Sequence, residues 1–281
     1  MPEGPEVKKI TVRLNNLISM LVLKDITINM GRYTKKLPTN FESFKSLLPL
    51  NVNSVNCHGK FIWWEFTNMD GEPVNLTLWN TLGMTGYWTT DTIKHNNVSF
   101  KFNNNTTVHF NDYRNFGNII FCTRENLEKK LKTIGPDILA LEKMNKKLNK
   151  NLGLDLFKVR LLKKRKDTMI ASALLDQKVA SGCGNYIRAE ILYLAKVSPF
   201  KEIGNLSNSE IELIWDLMRQ LAFNNYNKNV GLRYGIIDKK YKFAESYGRN
   251  FLVYMQDTDI KGKPVLKQKL NGRTIHYVEN P

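Results

Sequence analysis

The spacing of apolar residues predicts that the chain begins with a helix. After Val7, apolar residues recur three or four positions apart, at Ile10, Leu14, Leu17, Ile18 and Leu21. This spacing places them on one face of an amphipathic helix. Pro5 lies near the first turn of that helix, where proline is favoured because its missing N–H has no partner to lose.

A series of short strands is expected after this helix. Apolar residues alternate with polar ones, or form a short aromatic run, at Ile26 and Ile28; at 61–66; at Val74, Leu76 and Leu78; at Val98, Phe100 and Phe102; and at Val108 and Phe110. The three asparagines at 103–105 predict a turn between the last two groups. A helix followed by antiparallel strands indicates an α+β fold, with an N-terminal β-sandwich or flattened barrel.

The pattern becomes helical in the second half of the chain. Residues 141–151 (LEKMNKKLNKN) are polar, basic and without periodicity, so we expect them to link an N-terminal domain at 1–140 to a C-terminal domain at 152–281. Asp155 is expected to cap a helix that runs through Val159 and Leu162. A second helix is expected over 169–175.

Two local signals mark the remaining elements. Ser207 and Glu210 have the spacing of a capping box, with Leu206 and Ile211 placed as a hydrophobic staple. The helix behind them has one apolar face, formed by Ile211, Ile214, Leu217, Met218 and Leu221. Near the end of the chain, the dipeptide at 271–272 (Asn-Gly) predicts a β-hairpin.

The charge of the chain favours a polyanionic partner. Lys and Arg number 42 against 26 for Asp and Glu, which gives a net charge of +16. Nucleic acid is the first candidate and an acidic membrane surface the second, while the alternative is a basic surface that serves only solubility. With 42% hydrophobic residues, the chain can form real cores.

Targeting and redox signals are absent from the sequence. No apolar run reaches the length of about 18 residues that a membrane helix needs. The start, MPEGPEVKKI, lacks the apolar region of a secretory signal. Cys57, Cys122 and Cys183 are far apart, so neither a disulfide framework nor a C-x-x-C metal site is expected. These features favour a reducing intracellular compartment.

The second residue is a candidate nucleophile. Removal of Met1 would leave Pro2 with a free secondary amine, and an α-amino group has a pKa of about 7.7–8.0, so part of it is neutral at pH 7. Amines form Schiff bases with carbonyl-like carbons such as C1′ of an opened deoxyribose. Glu3 and Glu6 are candidate proton carriers. The alternative is an ordinary helix start, in which the glutamates complement the helix dipole.

The opening MPEGPEV resembles that of the formamidopyrimidine-DNA glycosylase and endonuclease VIII family. The resemblance implies that Pro2 is the nucleophile and that Glu3 protonates the sugar. Gly59-Lys60-Phe61 is similar to a family element whose lysine contacts phosphate and assists proton transfer. This similarity implies the same role for Lys60, whereas a lysine at a strand start is otherwise usually a solvated charge.

Two further segments resemble the family's DNA-distorting loops. Residues 82–86 (LGMTG) are similar to the loop whose methionine enters the space left by a flipped base, which implies that role for Met84. The preceding residues depart from the family pattern. Residues 112–117 (DYRNFG) resemble Asp-x-Arg-x-Phe-Gly, which implies that Arg114 pairs with the estranged base and that Phe116 wedges into the stack. The alternative is that Phe116 is core and Arg114 a surface residue.

The segment 174–200 resembles the family's helix–two-turn–helix. Its glycines allow close backbone approach, and we expect the second helix to present its N-terminal amides and Asn185 to a DNA phosphate. The sequence GNYIRAEIL at 184–192 is similar to that of the eukaryotic endonuclease VIII-like branch.

The end of the chain also bears on the branch. No cysteine follows Cys183, so the four-Cys zinc finger of many relatives is impossible. Residues 270–275 (LNGRTI) resemble the hairpin of that finger, which implies a zincless finger at about 250–281 whose Arg273 holds the phosphates beside the lesion. Packing of Val265, Ile275, Tyr277 and Val278 is expected to replace the metal.

The resemblance as a whole implies a bifunctional DNA glycosylase and abasic-site lyase of base excision repair. We expect a monomer without cofactor or metal that acts on damaged DNA, duplex or single-stranded. It would remove oxidised pyrimidines, hydantoins and formamidopyrimidines, and nick the strand by β,δ-elimination. The alternatives are an 8-oxoguanine-directed enzyme and a non-catalytic protein that binds damaged DNA. Residues 235–248 are the expected lesion-reading loop.

Overall fold

The computed structural model of the protein describes residues 2–141, 144–145, 150–230 and 251–279. They form two compact units. The first contains Pro2 and residues 6–132, and the second contains residues 3–5 together with the described residues from Thr133 onward. The boundary therefore falls before the expected linker at 141–151. The tripeptide that follows Pro2 belongs to the second unit.

The first part of the chain is mainly antiparallel sheet. Its helices are α1 (Gly4–Ile18), α2 (Phe41–Lys45) and α3 (Arg124–Thr133), with a 3₁₀ turn at Gly31–Thr34. Its strands are β1 (Val22–Ile28), β2 (Leu50–His58), β3 (Phe61–Thr67), β4 (Leu76–Thr81), β5 (Tyr87–Thr89), β6 (Asn96–Phe102), β7 (Thr107–Asn111) and β8 (Asn118–Thr123). The eight strands pair in the order β5-β7-β6-β1-β2-β3-β4-β8. The α+β fold class with an N-terminal β-sandwich is thus confirmed.

The sequence pattern did not predict strand β2, because the apolar residues of this strand are not evenly spaced. Leu50 and Val52 are buried two positions apart, but the next buried apolar residue is Val55. The pairing of β2 with β3 shifts register between Val52 and Ser54, as a β-bulge does when it adds one residue to one strand. The bulge returns Val55 to the core face, although two polar residues, Asn53 and Ser54, lie between Val52 and Val55.

The second unit is helical with a terminal hairpin. Its helices are α4 (Leu152–Leu162), α5 (Ile170–Ala173), α6 (Asn185–Ala195) and α7 (Asn208–Val230), with a 3₁₀ turn at Ile203–Asn205. Its strands are β9 (Met144–Asn145), β10 (Lys150–Asn151), β11 (Leu266–Leu270) and β12 (Arg273–Tyr277). Buried residues of the four helices and of the hairpin belong to one apolar core.

Two expectations for the helices of this unit are corrected. Helix α4 begins at Leu152, so Asp155 lies in its first turn, where its charge complements the helix dipole, and does not cap it. The helix expected over 169–175 is limited to Ile170–Ala173. Within the expected linker, β9 and β10 form a short antiparallel pair.

Two other local predictions are confirmed. The Ser207 N–H donates to Glu210 Oε2 at 2.8 Å, and the Glu210 N–H donates to Ser207 Oγ at 3.2 Å, which is the reciprocal bonding of a capping box. Asn271 and Gly272 have φ values of 50° and 75°. Two successive residues with positive φ are what a tight type I′ hairpin turn requires.

A search of the described residues for a membrane-spanning helix finds none of sufficient length and hydropathy.

The capping box at the start of α7 has a pH signature. Burial opposes ionisation of Glu210, but hydrogen bonds from Lys201 and Ser207 outweigh it and hold the pKa of Glu210 below its ordinary value of 4.5. Because the folded-state pKa is the lower one, the charged carboxylate stabilises the fold above pH 4.5. That contribution is lost as the pH falls through the lowered folded-state value.

We therefore expect Glu210→Gln to lower the free energy of unfolding at pH 7 and to converge with the wild type in acid. Urea denaturation of both proteins between neutral and acidic pH checks this. Glu128→Gln, at an exposed position of α3, is the control and should match the wild type throughout. A Glu210→Gln deficit that persists undiminished at low pH would contradict the assignment.

Candidate functional site

The N-terminal segment is held by a carboxylate that caps helix α6. Glu3 is 1% exposed, and its two carboxylate oxygens accept the N–H groups of Tyr186 at 2.9 Å and Ile187 at 3.3 Å. The residue at the N-cap position of α6, Gly184, has no side chain that could accept them. The first N–H groups of a helix need external acceptors and favour negative charge. Glu3 therefore supplies the cap from a distant part of the sequence.

A contact between two glycines fixes the position of Gly4, the residue after Glu3. The Gly4 N–H donates to Gly182 O at 2.9 Å, and a Cβ on Gly4 would lie 3.1 Å from Gly182 Cα, closer than ordinary contact. Gly182 has a φ of 101°, which residues with a side chain rarely adopt. Pro2, which is half-buried, directly precedes this anchored pair. The position of Pro2 is thereby restrained through its covalent neighbour.

The expected phosphate site at the start of α6 is corrected by the same geometry. The N–H groups of Tyr186 and Ile187 are bonded to Glu3 and are not offered to a phosphate. The side chain of Asn185 also has partners within the protein: its Nδ2 donates to Thr274 O at 2.9 Å, and its Oδ1 accepts from Arg188 at 2.7 Å. A phosphate contact by Asn185 would use its remaining amide proton.

Arg188 joins helix α6 to the terminal hairpin. Its side chain is fully buried, and its guanidinium donates to Ala171 O at 3.0 Å and, at 3.4 Å, to Thr274 O. Burial lowers the pKa of Arg188 from its ordinary value, and the nearby charge of Arg273 acts in the same direction. The predicted phosphate-binding Arg273 thus begins β12, next to a residue that α6 holds.

A second buried charge on α6 holds the segment before the hairpin. Glu190 is fully buried, and its carboxylate accepts the N–H groups of Leu252, Val253 and Tyr254 at 2.8–2.9 Å. Three backbone donors on one carboxylate form a strong anchor, because hydrogen bonds to an ionised group are stronger than neutral ones.

Further polar contacts complete the attachment of the terminal segment. Tyr193 donates to Asp259 Oδ2 at 3.0 Å, and burial together with this hydrogen bond raises the pKa of Tyr193 to about 12. Asn271 in the hairpin turn donates to Ser172 Oγ at 2.9 Å.

Apolar packing supports these polar anchors. As expected from the sequence, Val265, Ile275 and Val278 are buried in the core of this unit, and Tyr277 packs against it. No group of three or more His, Cys, Asp or Glu side chains suited to a metal ion occurs among the described residues. Arg188 and Glu190 were missed at the sequence level, although two charges within the otherwise apolar stretch 186–192 are a signal of buried polar anchors.

The two predicted DNA-distorting loops pack against each other in the first unit. We call residues 82–86 and 112–117 the wedge loops. Gly83 has a φ of 61°, and a Cβ there would lie 2.6 Å from the backbone nitrogen of Gly117. Only glycine permits this approach. Asp112 adds a polar connection, because its carboxylate accepts the N–H of Gly117 at 2.6 Å and the hydroxyl of Thr85 at 2.5 Å.

The wedge loops present large side chains to solvent. Met84 is 39% exposed and Phe116 is 55% exposed. The guanidinium of Arg114 lies over the Phe116 ring, 4.7 Å from its centroid, and Arg114 is itself exposed. Phe116 is therefore not a core residue. The structure brings the predicted void-filling residues together on one rigid base.

Lys60 occupies the turn that joins β2 and β3. The turn consists of Gly59, with a φ of 58°, and Lys60, between the paired residues His58 and Phe61. Lys60 is half-buried.

The predicted site residues divide between the two units. Pro2, Lys60, Met84, Arg114 and Phe116 belong to the first, and Glu3, Asn185 and Arg273 belong to the second. The expected lesion-reading loop at 235–248 lies outside the described residues.

Comparisons with known proteins place both units in one family. Residues 1–119 match the formamidopyrimidine-DNA glycosylase N-terminal domain, and residues 139–224 match the formamidopyrimidine-DNA glycosylase H2TH domain. The formamidopyrimidine-DNA glycosylase of Oceanobacillus iheyensis is 30% identical over 291 residues, covering 98% of this chain and 95% of the relative. That of Listeria monocytogenes (strain F2365) is 25% identical over 290 residues, covering 100% and 99%.

Solved structures share the fold. The Lactococcus lactis formamidopyrimidine-DNA glycosylase, bound non-covalently to DNA with an abasic site, aligns with a TM-score of 0.76 at 23% identity, covering 98% of this chain and 97% of that one. The MutM protein of Thermus thermophilus aligns with a TM-score of 0.76 at 21% identity and the same coverage.

These matches define the class as a DNA glycosylase with a helix–two-turn–helix unit. The chain belongs to the formamidopyrimidine-DNA glycosylase family, whose members are DNA glycosylases with abasic-site lyase activity in base excision repair.

The anchoring role of Glu190 leads to a stability prediction. Glu190→Ala would leave one buried and two partly buried N–H groups without their acceptor, at a cost on the order of a few kcal/mol. We expect a lower melting temperature and faster proteolysis within 251–279, measured by thermal unfolding and by mass spectrometry of the digest.

The matched control for Glu190→Ala is Glu212→Ala. Glu212 makes an ion pair with Lys158 at 2.6 Å, and its side chain is 49% exposed. Loss of such a pair should cost less than about 1 kcal/mol. Equal destabilisation by the two variants would refute the anchoring role.

Proposed function

We propose that this glycosylase is bifunctional and that the N-terminal amine of Pro2 is its nucleophile. The observation that carries the proposal is the anchoring of the two residues after Pro2. Glu3 caps α6 and Gly4 is bonded to Gly182, so the terminal amine is held by a short and restrained tether. An ordinary helix start does not need such anchoring.

The first step of the proposed reaction requires proton transfers at Pro2. A secondary amine must be neutral to attack C1′ of the damaged nucleotide, and the departing base needs a proton. The carboxylate of Glu3, adjacent in the chain, is suited to receive the amine proton and return one to the opening sugar. The new N–C1′ bond forms as the C1′–base bond breaks, and the proton left on the attacking amine goes to the departing base. Cleavage of the bond between C1′ and the sugar ring oxygen, which takes the proton from Glu3, then gives an iminium ion.

Strand scission follows from the iminium ion. It acidifies the C2′ proton, whose removal expels the 3′ phosphate in β-elimination. A second elimination then expels the 5′ phosphate and leaves a one-nucleotide gap. Lys60, Asn185 and Arg273 are proposed to hold the backbone phosphates during these steps, and Arg273 is proposed to assist elimination. The net charge of +16 supports phosphate-driven affinity.

The wedge loops are proposed to help expose the target nucleotide to the active site. A glycosylase must rotate its target nucleotide out of the duplex, at a cost of a few kcal/mol of unstacking. Met84, Arg114 and Phe116 are already exposed on rigid loops, so they can fill the gap without first being ordered. We propose that Arg114 pairs with the estranged base and that Met84 and Phe116 replace the lost stacking.

Covalent trapping tests the assignment of Pro2. Incubation with abasic-site duplex and borohydride should reduce the iminium ion and give a protein–DNA adduct. A form with one extra N-terminal residue moves the amine away from its anchored position and should lose the adduct by at least about tenfold. Pro5→Ala, which leaves the N-terminal amine intact, is the control and should trap like the wild type. Trapping by the extended form would assign the nucleophile to another amine.

We propose further that the preferred lesions are oxidised pyrimidines, hydantoins and formamidopyrimidines, as in the endonuclease VIII-like branch with a zincless finger. The sequence at 184–192 and the absence of cysteine after Cys183 support assignment to this branch. The anchoring of the terminal segment by Arg188 and Glu190 is a means by which such a finger could remain folded without zinc.

A second candidate is an enzyme directed at 8-oxoguanine. It is favoured by the names of the relatives, which are formamidopyrimidine-DNA glycosylases. Another relative was solved with DNA that contains carbocyclic 8-oxoguanine, and the Lactococcus lactis enzyme was also solved with an oxidised pyrimidine.

A panel of lesions separates the two candidates. Duplexes and single strands that carry dihydrouracil, a hydantoin, a formamidopyrimidine or 8-oxoguanine opposite cytosine are incubated with the protein under single-turnover conditions. We expect nicking of the first three to be at least about tenfold faster than nicking of 8-oxoguanine, since discrimination of about 1.4 kcal/mol corresponds to that factor. Fastest cleavage of 8-oxoguanine would support the second candidate. Binding without any nicking would indicate a non-catalytic protein.

A further inference from the structure

One exposed aromatic residue of the wedge loops has no part in the function proposed so far. Tyr113 is 59% exposed, more than Phe116 at 55% and Met84 at 39%. It directly precedes Arg114. Its ring lies beside that of His95, and an amphipathic aromatic side chain that stays more than half exposed next to Arg114 can offer its free face to a partner outside the protein.

The backbone around Tyr113 is fixed on both sides. The Asp112 N–H donates to His95 O at 3.2 Å and to Asn97 Oδ1 at 2.7 Å. Asn115, in the left-handed region with a φ of 56°, accepts at its side-chain oxygen from Asn97 Nδ2 at 2.9 Å and from the Arg32 N–H at 3.2 Å. The direction in which Tyr113 leaves the loop is therefore set before any ligand binds.

The two aromatic residues of the loop 112–117, Tyr113 and Phe116, contact different neighbours. Arg114 covers the ring of Phe116 at 4.7 Å, whereas the ring of Tyr113 lies 6.1 Å from that of His95, tilted by 54°. The Arg114 guanidinium covers Phe116 and not Tyr113. Tyr113 offers a separate aromatic surface.

We propose that Tyr113 is a further DNA-contacting residue that stacks on the base next to the estranged base, on the strand opposite the lesion. The inference rests on the proposed function, in which Arg114 faces the estranged base. Successive Cα atoms are about 3.8 Å apart and successive bases on one strand about 3.4 Å, so neighbouring residues on the loop match neighbouring bases.

The chemistry of the contact is stacking and not base reading. Every base has a π-face, so stacking on an aromatic side chain tolerates any sequence. The phenol hydroxyl is not required for this. Tyr113 would thus stabilise the kinked duplex beside the gap whatever base lies opposite the lesion, while Arg114 would respond to the identity of that base.

The test uses the full-length protein and a duplex with a stable abasic-site analogue. The fluorescent base 2-aminopurine is placed either next to the estranged base on the opposite strand or several steps away. We expect wild-type binding to change the adjacent fluorescence and Tyr113→Ala to abolish that change and weaken binding by about tenfold. Tyr113→Phe should retain both properties, and the distant probe should report nothing.

Controls separate this inference from the proposed function. Met69→Ala removes another side chain that is 57% exposed, and it should bind like the wild type. Borohydride trapping by the wild type is measured on the same preparations. If the wild type traps but Tyr113→Ala keeps its affinity and its fluorescence change, the stacking role of Tyr113 is refuted while the proposed function stands. If the wild type does not trap, the proposed function fails, and the fluorescence result still decides whether Tyr113 touches DNA.

Discussion

The interaction on which the candidate chemistry depends is the capping of helix α6 by the carboxylate of Glu3. A helix that begins at Gly184 and Asn185 without a capping side chain leaves N–H groups that need acceptors. Glu3 satisfies two of them from the other end of the sequence. The same bonds restrain the residue before it, Pro2. A single buried carboxylate therefore caps a helix and restrains the residue that is proposed as the nucleophile.

Helix α6 also organises the end of the chain, and it does so with buried charges. Asn185 and Arg188 hold the start of β12 at Thr274, and Glu190 binds three N–H groups of the segment before the hairpin. Buried charges are tolerated only when their hydrogen-bonding capacity is largely used, and each of these has several partners. A metal site would restrain the same backbone through its ligands. Here hydrogen bonds and apolar packing of Ile275 and its neighbours restrain it.

In the wedge loops, backbone packing and one carboxylate hold large side chains at the surface. The contact of Gly83 with Gly117 has no room for a Cβ, and the Asp112 carboxylate ties the two loops together. The rigid base leaves Met84 and Phe116 in solvent, which costs hydrophobic free energy in the absence of DNA. Their exposure is understandable if unstacked bases cover them in the complex. Ordering the loops in advance reduces the entropy lost on binding.

The sequence by itself determined the class of fold, the order of the motifs and the local elements whose signals are short-range. The capping box of Ser207 and Glu210 and the Asn271-Gly272 turn depend only on neighbouring residues, so they could be predicted. Strand β2 could not, because a bulge breaks its apolar period. The partners of Glu3, Arg188 and Glu190 could not either, since those bonds join residues far apart in the chain. Only the tertiary structure decided that the N–H groups of Tyr186 and Ile187 bond to Glu3, because acceptors compete for a donor by proximity, which sequence does not encode locally.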